Sequence, residues 1–498
     1  MHNNCNQGNC AARRESTLSA RAVAALGAII VTASPPALGE IDFNPNIKVG
    51  GTLTDNIELA PSFQGERTEF VAEIMPGFTL NQESSRIRSQ LDYTLRNFFY
   101  QQDSDRDTSF HEASAATSAE IIRKWFFIDA SAGYTQQILD PTKPTNNNFL
   151  FAVGNLTDAL TGSVTPAILH DFGFALLDAS YTRGFLDYKQ SDDVLSLTSD
   201  ADTQETHLEL SSVEDDRFIS WGAEYDRQIT EFETNAQRFE FEQASAELGV
   251  RLTDALRLIG RGGKETDVQL DSTDGGLEQT TWEAGFAYSP DRGTLVEAFY
   301  GKRFFGTSYR ASARRDAQFL QLSASYDEGP VTQAQQLLTQ PGAFQVTPIA
   351  PLDPGTNPLG TLTSDVFIAK NLDATVGLTG RRTKLNVSAL DQRREYLQTR
   401  QRERLSGARV TVIRNLDALT DATLDLFLTD TQFRTGDAFE EQSLRLGLSR
   451  NLSQRLRANV MLGRVHRSGT FGYTANWINV GFTATFGPRT LEPEQLDK

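Results

Sequence analysis

From about residue 43 onward the recurring pattern in this chain has a period of two, with apolar side chains at alternate positions of one segment after another. Ile87, Ser89, Leu91, Tyr93 and Leu95 alternate with Arg88, Gln90, Asp92, Thr94 and Arg96. Ile219, Trp221, Ala223 and Tyr225 alternate with Ser220, Gly222, Glu224 and Asp226, and Leu444, Leu446 and Leu448 with Arg445, Gly447 and Ser449. A period of two gathers the apolar groups on one face of an extended strand. Between Gln237 and Leu252 the apolar phase changes near Gln243, as a β-bulge would cause. Many segments run for about 10–15 residues, whereas soluble strands average about 5–6 and a tilted bilayer crossing needs roughly 9–11.

The face opposite the apolar one is charged: Arg88, Asp92, Arg96, Glu224, Glu240, Glu242, Arg409, Asp425, Arg445 and Arg457. In a closed barrel these side chains line an aqueous lumen, while the apolar face meets lipid. Short connections, such as Asn81–Arg86, Leu252–Leu256 and Asn451–Arg455, alternate with longer polar ones, such as Gln101–Thr108, Leu139–Leu160 and Tyr188–Thr203. This is the asymmetry of short periplasmic turns and long outer loops. Hydrocarbon tolerates no open sheet edge, so the sheet must close. The pattern therefore predicts an all-β chain folded as a single transmembrane antiparallel β-barrel of about 20–22 strands, with 18 as a lower bound and an even number expected. Thr294 to Tyr326 holds either two or three of them.

The ends carry different signals. Arg13, Arg14 and Arg21 precede the apolar run Ala22–Ala33, and Pro35, Pro36 and the small residues up to Gly39 follow. That order is expected of a secretory signal peptide over 1–39, removed on export to the outer membrane of a Gram-negative cell. Cys5 and Cys10 would leave with it, so the barrel domain, 40–486, has no thiol for a disulfide or a metal. Asn479, Gly481, Ala484 and Phe486 form a polar-x-Gly-x-x-apolar-x-aromatic octet resembling the signal read by the barrel-assembly machinery. Residues 487–498 read as a disordered tail.

Site chemistry is sparse. The Pro-rich segment Gly329–Thr363 breaks the strand rhythm, either as an inward constriction with a turn or two of helix over Gln333–Gln340 or as an external loop. Asp187, Asp192, Asp193, Asp200 and Asp202 are either a solvated acidic loop or carboxylates that bridge through divalent ions to lipopolysaccharide. Phe98, Phe99 and Tyr100, Trp125, Phe126 and Phe127, and Phe304 and Phe305 are placed for interface girdles. The charged rows either filter solutes or pair with one another across strands. His111, His170, His207 and His466 are scattered, without metal-ligand spacing, and the nucleophile-elbow, zincin and phosphate-loop motifs do not occur. We expect no catalytic residue, cofactor or metal. Lys+Arg total 47 against 65 Asp+Glu, a net charge of −18, which disfavours nucleic acid as a partner.

Leu53-Thr-Asp-Asn-Ile-Glu-Leu59, Met75-Pro-Gly-Phe78, Trp282-Glu-Ala-Gly-Phe-Ala-Tyr-Ser-Pro290, Tyr300-Gly-Lys-Arg-Phe-Phe-Gly306 and Tyr326-Asp-Glu328 with Thr332 carry a family likeness. In them the chain resembles the outer-membrane β-barrel family associated with the PEP-CTERM/exosortase exopolysaccharide system. The resemblance implies a barrel that works beside exopolysaccharide production or its export components, and it carries over no binding residues. The expectation is a passive, porin-like channel or secretion conduit in contact with outer-membrane lipids and lipopolysaccharide. Its alternative is a non-conducting structural or adhesion barrel that contacts envelope polymers.

Overall fold

The computed structural model describes residues 40–140, 142–143, 150–151, 155–189, 200–213, 218–233, 237–266, 278–339, 363–469 and 471–487. Residues 1–39 and 488–498, to which the sequence assigns the export signal and most of the tail, lie outside them. Twenty-two strands follow one another in chain order. The first eight are β1 (Glu40–Thr54), β2 (Glu69–Glu83), β3 (Ile87–Tyr100), β4 (Thr108–Ile122), β5 (Phe126–Ile138), β6 (Leu156–Asp171), β7 (Ala175–Tyr188) and β8 (Ala201–Ser212). Next come β9 (Ile219–Phe232), β10 (Arg238–Thr253), β11 (Leu256–Thr266), β12 (Glu278–Asp291), β13 (Thr294–Arg303), β14 (Gly306–Asp316) and β15 (Leu320–Thr332). The last seven are β16 (Val366–Thr379), β17 (Thr383–Tyr396), β18 (Arg402–Asn415), β19 (Thr420–Gln432), β20 (Ala438–Asn451), β21 (Leu456–Gly469) and β22 (Tyr473–Thr485). Thr294 to Tyr326 thus contributes three strands, and the total stands at the upper end of the expected range.

Each strand pairs antiparallel with the next, and β1 pairs with β22, from Asn46 opposite Thr485 to Thr54 opposite Trp477. Every strand has a partner on both sides, so the sheet closes into an antiparallel barrel, the architecture of an outer-membrane protein. Strands β14 and β15 pair only from Ala311 opposite Tyr326 to Asp316 opposite Gln321. At the seam Gly50 faces Gly481, and a Cβ on Gly50 would stand 2.7 Å from the Val480 carbonyl oxygen. The pairing runs on past β22, where the Phe486 N–H donates to the Pro45 carbonyl at 2.8 Å. Both termini of the barrel lie at the end carrying the short turns. In one of those turns Asp417 accepts the Leu419 N–H at 2.7 Å, which holds its carboxyl below the usual value.

Around the waist the outer wall is apolar. One cross-strand row runs from Leu320 through Leu378, Leu385, Val412, Leu424, Leu446, Leu462 and Ile478 to Leu53. Leu446 is 46% exposed and Leu462 48%, in a band far larger than a water-soluble monomer leaves uncovered. Lipid is the solvent that makes such a band stable.

At the loop end the polarity reverses. Phe239 and Phe241 are buried with Val366, and Phe367, Ala369 and Tyr396 form a second cluster. Glu240 and Glu242 lie on the outer wall, in correction of their assignment to the lumen. The β9–β10 register runs unbroken from Arg238 to Val250, so these glutamates share a face with Leu248, which is 56% exposed. The phase change near Gln243 is therefore no bulge. The strand rises above the lipid, where water favours charge outside and the phenylalanines turn inward.

Gly329 to Thr332 complete β15, and Gln333–Thr339 form a helix, α1. Its Ala334 and Leu337 pack on Ala159, Leu186, Tyr188, Ala201 and Phe232, so this part of the Pro-rich segment folds inward. Residues 340–362 lie outside the described ones.

Candidate solute pathway

Alternation along each strand points one polar row into the lumen at the waist, and the register brings its charges together. Asp425 on β19 is 3% exposed and sits between two cations. Arg409 donates to it twice at 2.9 Å, Arg445 approaches to 3.3 Å, and the Thr411 hydroxyl donates at 3.2 Å. Arg457, on the same inner face, pairs with Asp421. Across the seam Arg96 pairs with Glu112 at 2.8 Å, and Asp92 accepts from Thr79 at 2.6 Å and Gln90 at 2.7 Å. Arg88 reaches Glu83 at 3.3 Å near the turn end, with both side chains more than 70% exposed. Glu224 faces the lumen on β9. His111 and Glu112 point to opposite faces, the first to the Tyr93 hydroxyl at 2.8 Å and the second to Arg96.

The densest cluster has Arg261 on β11 at its centre. Glu247 lies 2.6 Å from it, Glu283 3.7 Å and Glu224 4.0 Å. Arg310 also reaches Glu283, at 3.1 Å. Beside this hub is a pocket of about 380 Å³ lined by Glu209, Ser211, Glu224, Glu247 and Arg257 among others. Next to it His207 Nδ1 meets Asp226 at 2.7 Å, and His207, Glu224 and Asp226 offer donor atoms all within 4.8 Å of one another. These are ligand types a divalent cation accepts, with Arg261 as the competing charge. Sequence spacing missed this group because its members lie on neighbouring strands, joined only by the register of β8 with β9.

Strands β4 to β9 have a one-signed inner wall. Their lumen faces carry Glu112, Asp129, Asp178, Glu205, Glu209, Glu224 and Asp226, and no Lys or Arg among the described residues. Arg183 and Arg227, the two arginines these strands contain, lie on the outer wall.

The loop end is narrowed from inside. Ile57 and Leu59 of the first loop, with Leu150 and Phe151 of the third, pack on Val71, Met75, Phe98 and Tyr100. Phe98 and Tyr100 therefore face inward and are not girdle residues, while Phe99 faces out at 45% exposure. Trp282, Tyr300 and Tyr309 supply an outer aromatic row instead, with centroids 5.8 and 5.6 Å apart. The Thr-Asp-Asn motif joins the first loop to the last strand. Asn56 donates to the Thr474 carbonyl at 2.9 Å, and Asp55 accepts from the Asn476 side chain at 2.6 Å. Arg467, fully buried, donates to the carbonyls of Lys143 at 3.0 Å and Thr142 at 3.1 Å, and so ties down the third loop.

In the assembly octet, Asn479 and Gly481 face inward, and Asn479 donates to Thr52 at 2.8 Å and Glu73 at 3.0 Å. Ala484 and Phe486 follow the outward phase of Val480 and Phe482, and Phe486 is 57% exposed. Of the acidic stretch, Asp187 is buried on β7 and Asp200 caps Tyr188 N–H at 2.8 Å, whereas Asp192 and Asp193 lie outside the described residues.

No family model matches the chain, and no curated protein matches it. Among solved structures it is similar to a mutant of the ferric enterobactin receptor of Pseudomonas aeruginosa in complex with enterobactin, at 10% identity and a TM-score of 0.49, over 90% of this chain and 82% of that one. It is similar to the siderophore receptor PirA of Acinetobacter baumannii at 7% identity and a TM-score of 0.49, over 90% and 81%. It is also similar to the alcaligin receptor FauA of Bordetella pertussis at 14% identity and a TM-score of 0.43, over 90% and 76%.

Proposed function

We propose that this barrel is a passive conduit for hydrophilic solutes across the outer membrane, with cations favoured. The one-signed inner wall of β4–β9 carries this reading. Six carboxylates, Asp129, Asp178, Glu205, Glu209, Glu224 and Asp226, face the lumen there with only His207 as a basic group among them. A row of fixed like charges along a wet pore raises the local concentration of counter-ions and repels co-ions. Opposite it, Arg409 and Arg445 share the single carboxylate of Asp425, so that ladder keeps one positive charge against the six carboxylates, and the acidic sector sets the sign of the net field. The resemblance to exosortase-associated barrels makes extracellular polysaccharide, or its export components, the cargo or neighbour we assign to it.

The test is conductance in a planar bilayer under a salt gradient. The expected result is discrete current steps with a reversal potential on the cation side, moved toward zero by D178N/E209Q/D226N. A conduit reading fails if no current flows, either from the intact chain or after residues 340–362 are shortened. The inward packing of α1 and the first and third loops at the mouth supports the second reading, a non-conducting structural barrel, which that failure would favour.

A further inference from the structure

We propose that the outer wall of β16–β18 binds a lipid headgroup phosphate, that of lipopolysaccharide in the outer leaflet. Lys370 lies directly opposite Arg393, and Arg393 directly opposite Arg404, so three cations stand side by side in one cross-strand row. All three share the outward phase of the apolar wall below them: Lys370 with Leu372, Arg393 with Val387, and Arg404 with Val410. Opposed like charges cost free energy in a sheet, since directly opposite Cβ atoms are only about 5 Å apart.

Two carboxylates answer the three cations. Asp391 is shared, 2.6 Å from Arg393 and 2.9 Å from Arg404, and Glu328 lies 3.7 Å from Lys370. Arg402, one row higher, is matched by Glu395 at 3.1 Å. The row directly beneath the cations reads Leu372, Asp391, Ser406, Asp430 and Glu440, so carboxylates also stand on its lower side toward β19 and β20. Within the row itself three cations meet two partner carboxylates, an excess of one positive charge confined to that row. Arg393 gives Nε and Nη2 to Asp391 and Arg404 gives Nε, and with Arg393 56% exposed and Arg404 44% their remaining N–H groups face solvent.

Height on the wall identifies the ligand. Two rows below the cations, the wall reads Ala324, Ala374, Ala389, Ala408 and Leu428, and the row beneath that reads Leu322, Val376, Val387, Val410 and Leu426. The cations therefore stand one polar row, that of Asp391, Ser406 and Asp430, above the apolar wall, at headgroup level on the loop side. A phosphate there would accept from two guanidinium forks and an ammonium. Its acyl chains would lie along the apolar rows. This inference needs the loop end to face outward; it does not depend on conduction.

The purified barrel in detergent is titrated with lipopolysaccharide bearing its lipid A phosphates, with the dephosphorylated form, and with inorganic phosphate. We expect K370Q/R393Q/R404Q to bind phosphorylated lipopolysaccharide at least about tenfold more weakly than the parent, a loss of the size expected for charge-assisted contacts. R238Q, on the outer wall of β10, should bind as the parent does. Dephosphorylated lipopolysaccharide should bind the parent no better than the triple variant binds the intact lipid. Unchanged binding by the triple variant, or equal binding of both lipid forms, overturns the proposal. Complete displacement by millimolar inorganic phosphate reassigns the row to a free anion and also overturns it. Gel migration that shifts on boiling establishes that each variant is folded; if the triple variant is not, R393Q alone carries the test.

Discussion

The waist and the mouth of this barrel are built by the same strands with opposite polarity. At the waist, Leu446 faces out and Arg445 faces in toward Asp425. At the mouth, Glu242 faces out toward Arg227 and Phe241 is buried inside. No bulge separates the two zones on β10, so the change lies in which residues the sequence places on each phase. The solvents dictate it. Around the waist lipid is outside and water inside, whereas at the mouth water is outside and the loops supply an apolar interior. A strand that crosses the lipid boundary must exchange its phases to stay stable on both sides.

The contrast can be broken hardest inside the mouth. Phe239→Ala removes a side chain 1% exposed and should cost about 3–5 kcal/mol in urea unfolding from detergent or lipid, whereas Ser443→Ala on the inner waist should cost under about 0.5 kcal/mol. Next comes the outer waist. Leu446→Arg should cost about 2–4 kcal/mol in folding into liposomes, while Gln432→Arg, on the outer mouth, should cost no more than about 1 kcal/mol. Asp425→Asn is smaller, about 1–3 kcal/mol, because Arg409 and Arg445 lose their shared charge but keep the amide oxygen as an acceptor. It should also move the reversal potential toward anions in the bilayer assay. Arg88→Gln sharpens the low end. Its pair with Glu83 is solvated, and the change should be below about 1 kcal/mol by the same titration.

The barrel was legible because period-two alternation survives in any register. Eight of the ten lumen assignments depend only on that alternation at the waist: Arg88, Asp92, Arg96, Glu224, Arg409, Asp425, Arg445 and Arg457 point inward. Glu240 and Glu242 break the rule: the assumption that the apolar face meets lipid along the whole strand requires a bulge beside Phe239 and Phe241, and β10 has none there. The same assumption misplaced Phe98 and Tyr100. The Arg261 hub, the His207–Asp226 pair and the Lys370–Arg393–Arg404 row were not legible at all. Each is assembled across strands by register, and in the hub Arg261 is 37 residues from Glu224 in the sequence. Arg467 read as one more strand arginine, because its carbonyl partners lie more than 300 residues away.

Single-cysteine accessibility tests the polarity reversal most directly. With Cys5 and Cys10 replaced by Ser, cysteines at 241, 242, 445 and 446 are each exposed to a charged, membrane-impermeant thiol reagent in reconstituted barrels. The account predicts fast labelling at 242 and 445 and slow labelling at 241 and 446. Fast labelling at 241 with protection at 242 would mean that the charged face of β10 stays inward to its tip, and the reversal at the mouth would be wrong.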